Sequence, residues 1–226
     1  MSFLLAIEGA DGAGKATASA AAAARLNAAG TRATVISFPR YAETVGGHML
    51  GELLSGRLPR TASPQAAAVL YALDRYESRD HLACAAAEND VIVFDRYIAS
   101  NMVYQASKVP ADEAAALMGW IVALETVQFA LPAPDLSIFL DTPLDRARRQ
   151  VLQKQQRSYT DRGLDENEAD DALQARVRAN YTAIGATGML GAWATVSTMA
   201  DGAMRTPDAI AAEIVAAYRA QVAGGL

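Results

Sequence analysis

A glycine-rich loop near the start of the chain restricts the possible folds more than any other feature. It spans Gly9–Thr17, with a glycine, four further residues and then Gly14-Lys15, and it joins an apolar segment, Phe3–Ile7, to a helical segment, Lys15–Ala29. A strand, such a loop and a helix in succession form the Walker A motif, in which backbone N–H groups and the helix N-terminus bind phosphate and the lysine reaches the outer phosphates. We therefore expect the chain to bind a nucleotide here.

The position after the lysine departs from this pattern. A serine or threonine usually stands there and binds Mg²⁺, whereas this chain has Ala16 and places a hydroxyl one residue later, at Thr17. Three interpretations stay open: Thr17 supplies the ligand after a local adjustment, the metal is held by phosphates, waters and carboxylates, or the site has lost catalysis. The residues expected to contact ATP are Gly9, Ala10, Asp11, Gly12, Ala13, Gly14, Lys15, Ala16 and Thr17.

Apolar segments alternate with longer helical segments along the chain. The predicted strands are Phe3–Ile7, Ala33–Ser37, Val91–Phe94, Leu136–Leu140 and Ala194–Ser197. The predicted helices are Lys15–Ala29, Val45–Ser55, Pro64–Glu88, Ile98–Ser107, Ala111–Phe129, Pro143–Gln155, Glu166–Thr187 and Pro207–Val222. This alternation favours a three-layer α/β fold, with a five-stranded parallel sheet flanked by helices. We expect a single domain over residues 1–226, with an exposed mobile lid at about 153–165, where polar residues surround a turn signal.

Composition argues against several kinds of partner. The formal net charge of −5 provides no basic field for nucleic acid. One cysteine, Cys84, excludes an intramolecular disulfide. The N-terminus lacks the basic start and apolar core of a signal peptide, and no segment approaches about 18 uncharged apolar residues. The expectation is a cytoplasmic protein with neither nucleic acid nor membrane as a partner.

Five separated segments resemble the thymidylate kinase family of P-loop nucleoside monophosphate kinases. They are Glu8–Lys15, Phe38–Tyr41, Tyr71–Arg75, Asp95–Asn101 with Tyr104, and Pro134–Asp141. Each is weak alone, but their order and spacing are specific and extend over nearly the whole chain. The resemblance implies a P-loop kinase fold, Mg²⁺-dependent transfer of the γ-phosphoryl group of ATP to dTMP giving dTDP, and a homodimer.

Two of these segments point to an acceptor nucleotide. Phe38 and Arg40 follow the second strand, at the edge where parallel sheets bind ligands. Arg40 can therefore donate two hydrogen bonds to a phosphate, while the Phe38 ring lines one side of the base. Tyr41 completes that segment and is expected to contact the substrate. Tyr71 and Arg75 lie four apart on one helix and therefore on one face. The resemblance implies that Tyr71 stacks on thymine and Arg75 reaches its O4, although a core tyrosine with an ion-paired arginine would give the same pattern.

The end of the third strand and the next helix complete the expected acceptor site. By resemblance, Arg96 binds the acceptor phosphate and Asp95 lies in the metal region, with Ser100 among the substrate contacts. The amide of Asn101 offers one donor and one acceptor to the O4 and N3–H of thymine, which would reject cytosine. The resemblance places Tyr104 near the sugar C2′, where it disfavours a ribose hydroxyl.

Phosphoryl transfer to an existing phosphate depends on charge neutralisation rather than on a general base. Besides Lys15 and Arg96, the catalytic cations are expected from the lid, where Arg157 and Arg162 are both candidates and the choice stays open. The alternative is an ordinary solvated basic loop.

An acidic cluster follows the lid. By resemblance Asp165 faces the acceptor site, and Glu168 and Asp11 help to hold Mg²⁺ or the sugar hydroxyl, with Asp95 as a further metal ligand. Acidic residues also favour a helix N-terminus for dipole reasons alone. Asn167 stands where related chains commonly have tyrosine.

Two other functions stay open. A deoxynucleoside kinase would need a carboxylate base for a neutral 5′-hydroxyl, whereas Arg40 and Arg96 favour an acceptor that already carries phosphate. A P-loop nucleotide-binding module without catalysis is suggested by Ala16 and Asn167.

Overall fold

A computed structural model describes residues 2–157 and 170–224, without the side chains of residues 154–157. The main strands are β1 (Phe3–Glu8), β2 (Ala33–Ser37), β3 (Val91–Asp95), β4 (Leu136–Asp141) and β5 (Ala192–Ser197). The helices are α1 (Lys15–Ala28), α2 (Val45–Leu54), α3 (Pro64–Glu77), α4 (Arg79–Glu88), α5 (Ile98–Ala106), α6 (Ala111–Val122), α7 (Leu144–Arg157), α8 (Asp171–Thr187) and α9 (Pro207–Gly224). A small antiparallel hairpin joins β6 (Met199–Ala200) to β7 (Ala203–Met204).

The five main strands form one parallel sheet in the order β2-β3-β1-β4-β5. One face packs against α1 and α9 through residues such as Leu5, Leu26 and Ile214. The other packs against α5 and α8 through residues such as Phe94 and Met102. Helices on both faces explain why β3 and β4 are apolar along most of their length, and the predicted three-layer α/β fold is confirmed.

This topology brings the predicted motifs to one edge. The glycine-rich loop follows β1, Phe38 follows β2 and Arg96 follows β3, so all three leave the carboxyl ends of adjacent strands. Ligands bind at this edge in parallel α/β sheets.

Two predicted helices are wrong in their continuity. The segment predicted as one helix over Pro64–Glu88 breaks at the buried Ser78, whose hydroxyl donates to the carbonyl of Asp74 at 2.8 Å. The segment Ala111–Phe129 is α-helical only to Val122 and continues as a π-helical turn, Ala123–Gln128. Neither change is marked by glycine or proline, so the sequence carried no breaker signal.

The helix predicted from Glu166 also starts late. Asp170 has an extended backbone and its carboxylate accepts the N–H of Leu173, so it caps α8, which begins at Asp171. The described ranges contain no helix with the length and apolar character needed to cross a bilayer.

Candidate active site

The glycine-rich loop is shaped by backbone conformations that favour glycine. Gly12 and Gly14 have φ values of 76° and 86°, and a Cβ on Gly12 would lie 2.1 Å from the carbonyl oxygen of Ala147 in α7. The loop therefore runs against the start of α7 with no space for a side chain at this point.

Lys15 is folded into this loop. Its ammonium donates to the carbonyl oxygens of Gly9 and Ala10, at 3.0 and 2.7 Å, and the residue is 6 % exposed. Burial, together with the nearby cation of Arg96, lowers the pKa of Lys15 to about 8, although neighbouring carboxylates oppose the shift. The ammonium lies at the loop where Walker A lysines meet phosphate.

The metal ligands predicted from sequence do not form a protein cage in the described ranges. No group of three histidine, cysteine or acidic side chains suited to a metal occurs there. Ala16 and Thr17 are both exposed, and Asp95 is half-buried at the end of β3. Mg²⁺ in phosphoryl-transfer sites is commonly held by one or two carboxylates, waters and substrate phosphates, so such a cage is not required.

Asp11 and Arg96 form an ion pair beside the lysine. The Arg96 Nη2 donates to Asp11 Oδ1, and the two side chains are 21 % and 13 % exposed. The amide of Gln174 in α8 contacts Asp11 twice: its Nε2 donates to Oδ2 at 2.9 Å and its Oε1 accepts the backbone N–H at 3.1 Å. Burial alone would raise the pKa of Asp11, but Arg96 and Lys15 outweigh it and lower that pKa.

The backbone that carries Arg96 is fixed by a buried carboxylate. Arg96 has a φ of 68°, unusual for a residue other than glycine, and its N–H donates to the carbonyl of Ile7. Glu8, with no exposed surface, accepts the N–H of Tyr97 at 2.8 Å and the hydroxyls of Ser100 at 2.6 Å and Tyr181 at 2.9 Å. This carboxylate thus anchors the start of α5.

The segment after β2 is held by α3. Phe38 is buried, with its ring centroid 6.1 Å from that of Tyr97. The Arg40 N–H donates to Asp74 at 3.0 Å, and its guanidinium donates to Ser78 at 3.2 Å. Ser78, at the position where the helix breaks, thus supplies a hydroxyl partner for Arg40.

A second buried network surrounds Arg75. Its Nε and Nη2 donate to Glu125 at 2.5 and 2.6 Å. Asn101 donates through Nδ2 to the same carboxylate at 2.8 Å and to the carbonyl of Ala68 at 3.0 Å. Both amide hydrogens are thus directed at protein acceptors. Of the donor and the acceptor that the sequence predicts for a base, Asn101 therefore offers only the acceptor, Oδ1.

Tyrosines flank these networks. Tyr71 is half-buried one turn before Arg75, and Tyr41 is 43 % exposed. Tyr104 is buried, with its ring centroid 5.3 Å from Arg96 Cζ. Burial, followed by the charge of Asp11, raises the pKa of Tyr104 well above its usual value, so its hydroxyl stays protonated near neutral pH.

Most of the predicted lid lies outside the described residues. Arg162, Asp165 and Glu168 lie outside the described residues. Arg157 is the last residue of α7, and its side chain also lies outside what is described. Their roles stay predictions.

Sequence reasoning missed the residues that support the site. Glu8 lies within the first motif, where the sequence pattern gives it no role, although a carboxylate at the end of an apolar buried strand is a usable signal. Gln174, Glu125 and Tyr181 carried no signal, because they meet their partners only through the tertiary fold.

Comparisons with known proteins identify a family for this chain. The model of the family described as thymidylate kinase matches residues 7–195. Thymidylate kinase from Mycobacterium tuberculosis is 34% identical over 200 residues, which cover 88% of this chain and 93% of that one. Thymidylate kinase from Thermomicrobium roseum is 35% identical over 191 residues, 81% of each chain.

A solved structure extends the likeness to the fold. Thymidylate kinase from Candida albicans superposes with a TM-score of 0.71 at 21% identity, over 97% of this chain and 92% of that one. The family match and the sequence identity to the bacterial enzymes lead to one conclusion: this chain belongs to the thymidylate kinase family.

Proposed function

We propose that this protein is a thymidylate kinase that transfers the γ-phosphoryl group of ATP to dTMP, giving dTDP. The observation that carries the proposal is the ion pair of Asp11 and Arg96 beside Lys15, at the carboxyl ends of β1 and β3. In this proposal Lys15 binds the donor phosphates and Arg96 binds the acceptor phosphate. The two side chains lie close enough to interact electrostatically. Phosphoryl transfer requires this kind of charge stabilisation between its two substrates.

The remaining residues have separate roles in this proposal. The loop Gly9–Thr17 surrounds the ATP phosphates, and Arg40 joins Arg96 at the acceptor phosphate. The thymidine side is formed by Phe38, Tyr41, Tyr71, Arg75, Ser100, Asn101 and Tyr104. Either Arg157 or Arg162 is the proposed catalytic cation of the lid, and Asp165 is a proposed contact on the acceptor side. A single domain spanning residues 1–226 would hold all of them.

Mg²⁺ fits the carboxylates at this edge. Asp95, half-buried at the end of β3, is the best placed of the described candidates. Asp11 already accepts hydrogen bonds on both carboxylate oxygens, so it suits a contact through water better than a direct one. Glu168 is the third proposed ligand. The metal would neutralise charge on the ATP phosphates.

A deoxynucleoside kinase fits the site less well. Such an enzyme needs a carboxylate that accepts a proton from a 5′-hydroxyl. The pKa of Asp11 is held low by Arg96 and Lys15 despite burial, so this carboxylate is a weak base. An acceptor that is already ionised removes the need for that base.

We also propose that the enzyme works as a cytoplasmic homodimer. Trp120 in α6 and Val127 in the following turn are 42% and 69% exposed, which supports an apolar contact with a second subunit.

The test is ADP release from ATP and Mg²⁺ by the purified protein, offered dTMP, dUMP, dCMP, the ribose form of TMP, or thymidine. Preference for dTMP is the expected result, and a Lys15→Ala variant serves as the inactive control. Preference for thymidine would overturn the assignment of a phosphorylated acceptor. ATP binding without turnover on any acceptor would favour a non-catalytic module.

A further inference from the structure

A fully buried carboxylate lies in the turn that follows α6, outside every sequence motif. Glu125 has no exposed surface, and it belongs to the π-helical turn Ala123–Gln128. Such turns are rare and occur often at functional sites. A buried charge is costly unless it is paired, so the identity of its partners is informative.

Those partners are two residues of the proposed base site. Glu125 binds the Nε and Nη2 of Arg75 through both oxygens, in the bidentate arrangement that fixes a guanidinium plane. The Arg75 side chain is 2% exposed. Glu125 leaves Nη1 as the one nitrogen it does not contact, and Arg75 Cζ lies 5.8 Å from the centroid of the Phe38 ring.

The same carboxylate sets the orientation of Asn101. The Asn101 Nδ2 lies between Glu125 Oε1 and the carbonyl oxygen of Ala68, and both of these groups only accept hydrogen bonds. Rotation of the amide by 180° would place its oxygen against two acceptors. Asn101 Oδ1 is buried and has no hydrogen-bond partner among residues 2–157 and 170–224. A buried acceptor without a partner requires an explanation, and a donor from a bound base would satisfy it.

We propose that Glu125 is a positioning residue that determines which nucleobase the site accepts, an inference that rests on the proposed function. By taking the donors of Asn101, it leaves an acceptor for a ring N–H. By fixing Arg75, it directs a donor at the neighbouring carbonyl. Thymine and uracil carry that N–H and carbonyl side by side. Cytosine presents a ring acceptor and an amino donor, so both of its contacts would be repulsive.

A Glu125→Gln substitution tests this role. Glu125 Oε1 accepts from both Arg75 and Asn101, and Oε2 accepts from Arg75 alone. The glutamine NH₂ would therefore face an Arg75 donor in either orientation, so at least one contact is lost. We expect the KM for dTMP to rise about tenfold with a smaller change in kcat, and the preference for dTMP over dCMP in kcat/KM to fall about tenfold. The preference between dTMP and dUMP should stay within about twofold, because these bases share the edge in question.

The control and the folding measurements separate recognition from stability. Glu213 in α9, on the opposite face of the sheet from α5, accepts from Arg205 in an exposed pair. Glu213→Gln therefore removes an arginine–carboxylate contact outside the site and should leave all of these ratios unchanged. A purely structural role for Glu125 predicts a lower Tm with equal losses on dTMP and dCMP. That result would overturn the proposal.

Two further measurements keep the test decisive if Glu125→Gln does not fold. Glu125→Asp keeps the charge but is one methylene shorter, and should lose the same preference to a smaller degree. With the wild-type protein, N3-methyl-dTMP should bind at least about tenfold more weakly than dTMP, because Asn101 offers only an acceptor. Equal binding would refute the orientation of that amide.

Failure of the proposed function gives a different pattern. A wild-type protein that does not phosphorylate dTMP refutes the function, and the base preference is then read from equilibrium binding of dTMP and dCMP. Loss of that binding preference in Glu125→Gln supports the role of Glu125, and an unchanged preference refutes it.

Discussion

Replacement of Glu8 by glutamine should destabilise the protein because three donors converge on this carboxylate. The N–H of Tyr97 and the hydroxyls of Ser100 and Tyr181 donate to it at 2.6 to 2.9 Å. Hydrogen bonds to a charged group contribute about 1.5–3 kcal/mol each and neutral ones about 0.5–1.5. Loss of about 1 kcal/mol on each of three bonds gives a fall of about 3 kcal/mol in the free energy of unfolding.

Thermal denaturation of Glu8→Gln measures this effect. For a domain of this size, about 3 kcal/mol corresponds to a fall in Tm of roughly 6–12 °C. Because Glu8 anchors the turn that carries Arg96, the KM for dTMP should rise as well. The exposed pair of Arg205 and Glu213 supplies the control, since Glu213→Gln should cost no more than about 1 kcal/mol. A loss below about 0.5 kcal/mol in Glu8→Gln would refute the assigned role of this carboxylate.

Three further perturbations follow from the site. Gly12→Ala should lower the free energy of unfolding by more than about 2 kcal/mol and abolish ATP binding, because its Cβ meets a backbone carbonyl, whereas Gly30→Ala, at a similar φ of 83° in open space, should cost about 1 kcal/mol. Calorimetry and ATP titration of both variants give this comparison, and equal losses would contradict it. The pKa of Lys15 falls from 10.5 to about 8 on folding, so the unfolded chain binds this proton more tightly than the folded one. As the pH rises from 8 to 10.5, the free energy of unfolding of the wild type should therefore increase by about 3 kcal/mol relative to that of Lys15→Met. Denaturant unfolding at pH 7 and 10.5 measures that difference, and a constant difference would refute it. Gln174→Ala removes both contacts to Asp11 and should lower kcat/KM for dTMP about tenfold in steady-state assays, since Arg96 loses its fixed partner; unchanged kinetics would contradict this role.

The fold could be predicted from sequence wherever a single local pattern determines it. The segment Val91–Phe94 is continuously apolar because strands in a covered parallel sheet are buried on both faces, and the structure extends it by one residue. The break at Ser78 and the π-helical turn after Val122 could not be predicted, because no glycine or proline marks either position. The side-chain partners found there, Arg40 for Ser78 and Asn101 for Glu125, come from other parts of the chain.

The same distinction applies to the site. Arg75, Asn101 and Arg96 were identified because a resemblance covers short segments of contiguous residues. Glu125, which supports the first two, lies 50 residues from Arg75 and 24 residues from Asn101. Asp11, which pairs with Arg96, lies 85 residues from it. No spacing rule relates such positions, so only the tertiary structure brings the supporting residues together. The sequence thus predicts candidate ligand-binding groups, and the structure adds the groups that orient their side chains.

The pair of Arg75 and Glu125 separates stability from recognition. Replacement of one partner leaves a buried unpaired charge, which typically costs about 3–5 kcal/mol, whereas replacing both with apolar residues of similar volume is often neutral or stabilising. We therefore expect the double variant Arg75→Met, Glu125→Met to unfold at a higher temperature than Glu125→Met alone, as measured by calorimetry. The double variant should nevertheless bind dTMP with no preference over dCMP, because it lacks the fixed donor and leaves Asn101 free to rotate. A double variant less stable than the single one would show that Arg75 stabilises the fold even without Glu125, which would contradict this reasoning. A double variant at least as stable as the wild type, but without base preference, would show that the pair contributes to recognition at the expense of stability.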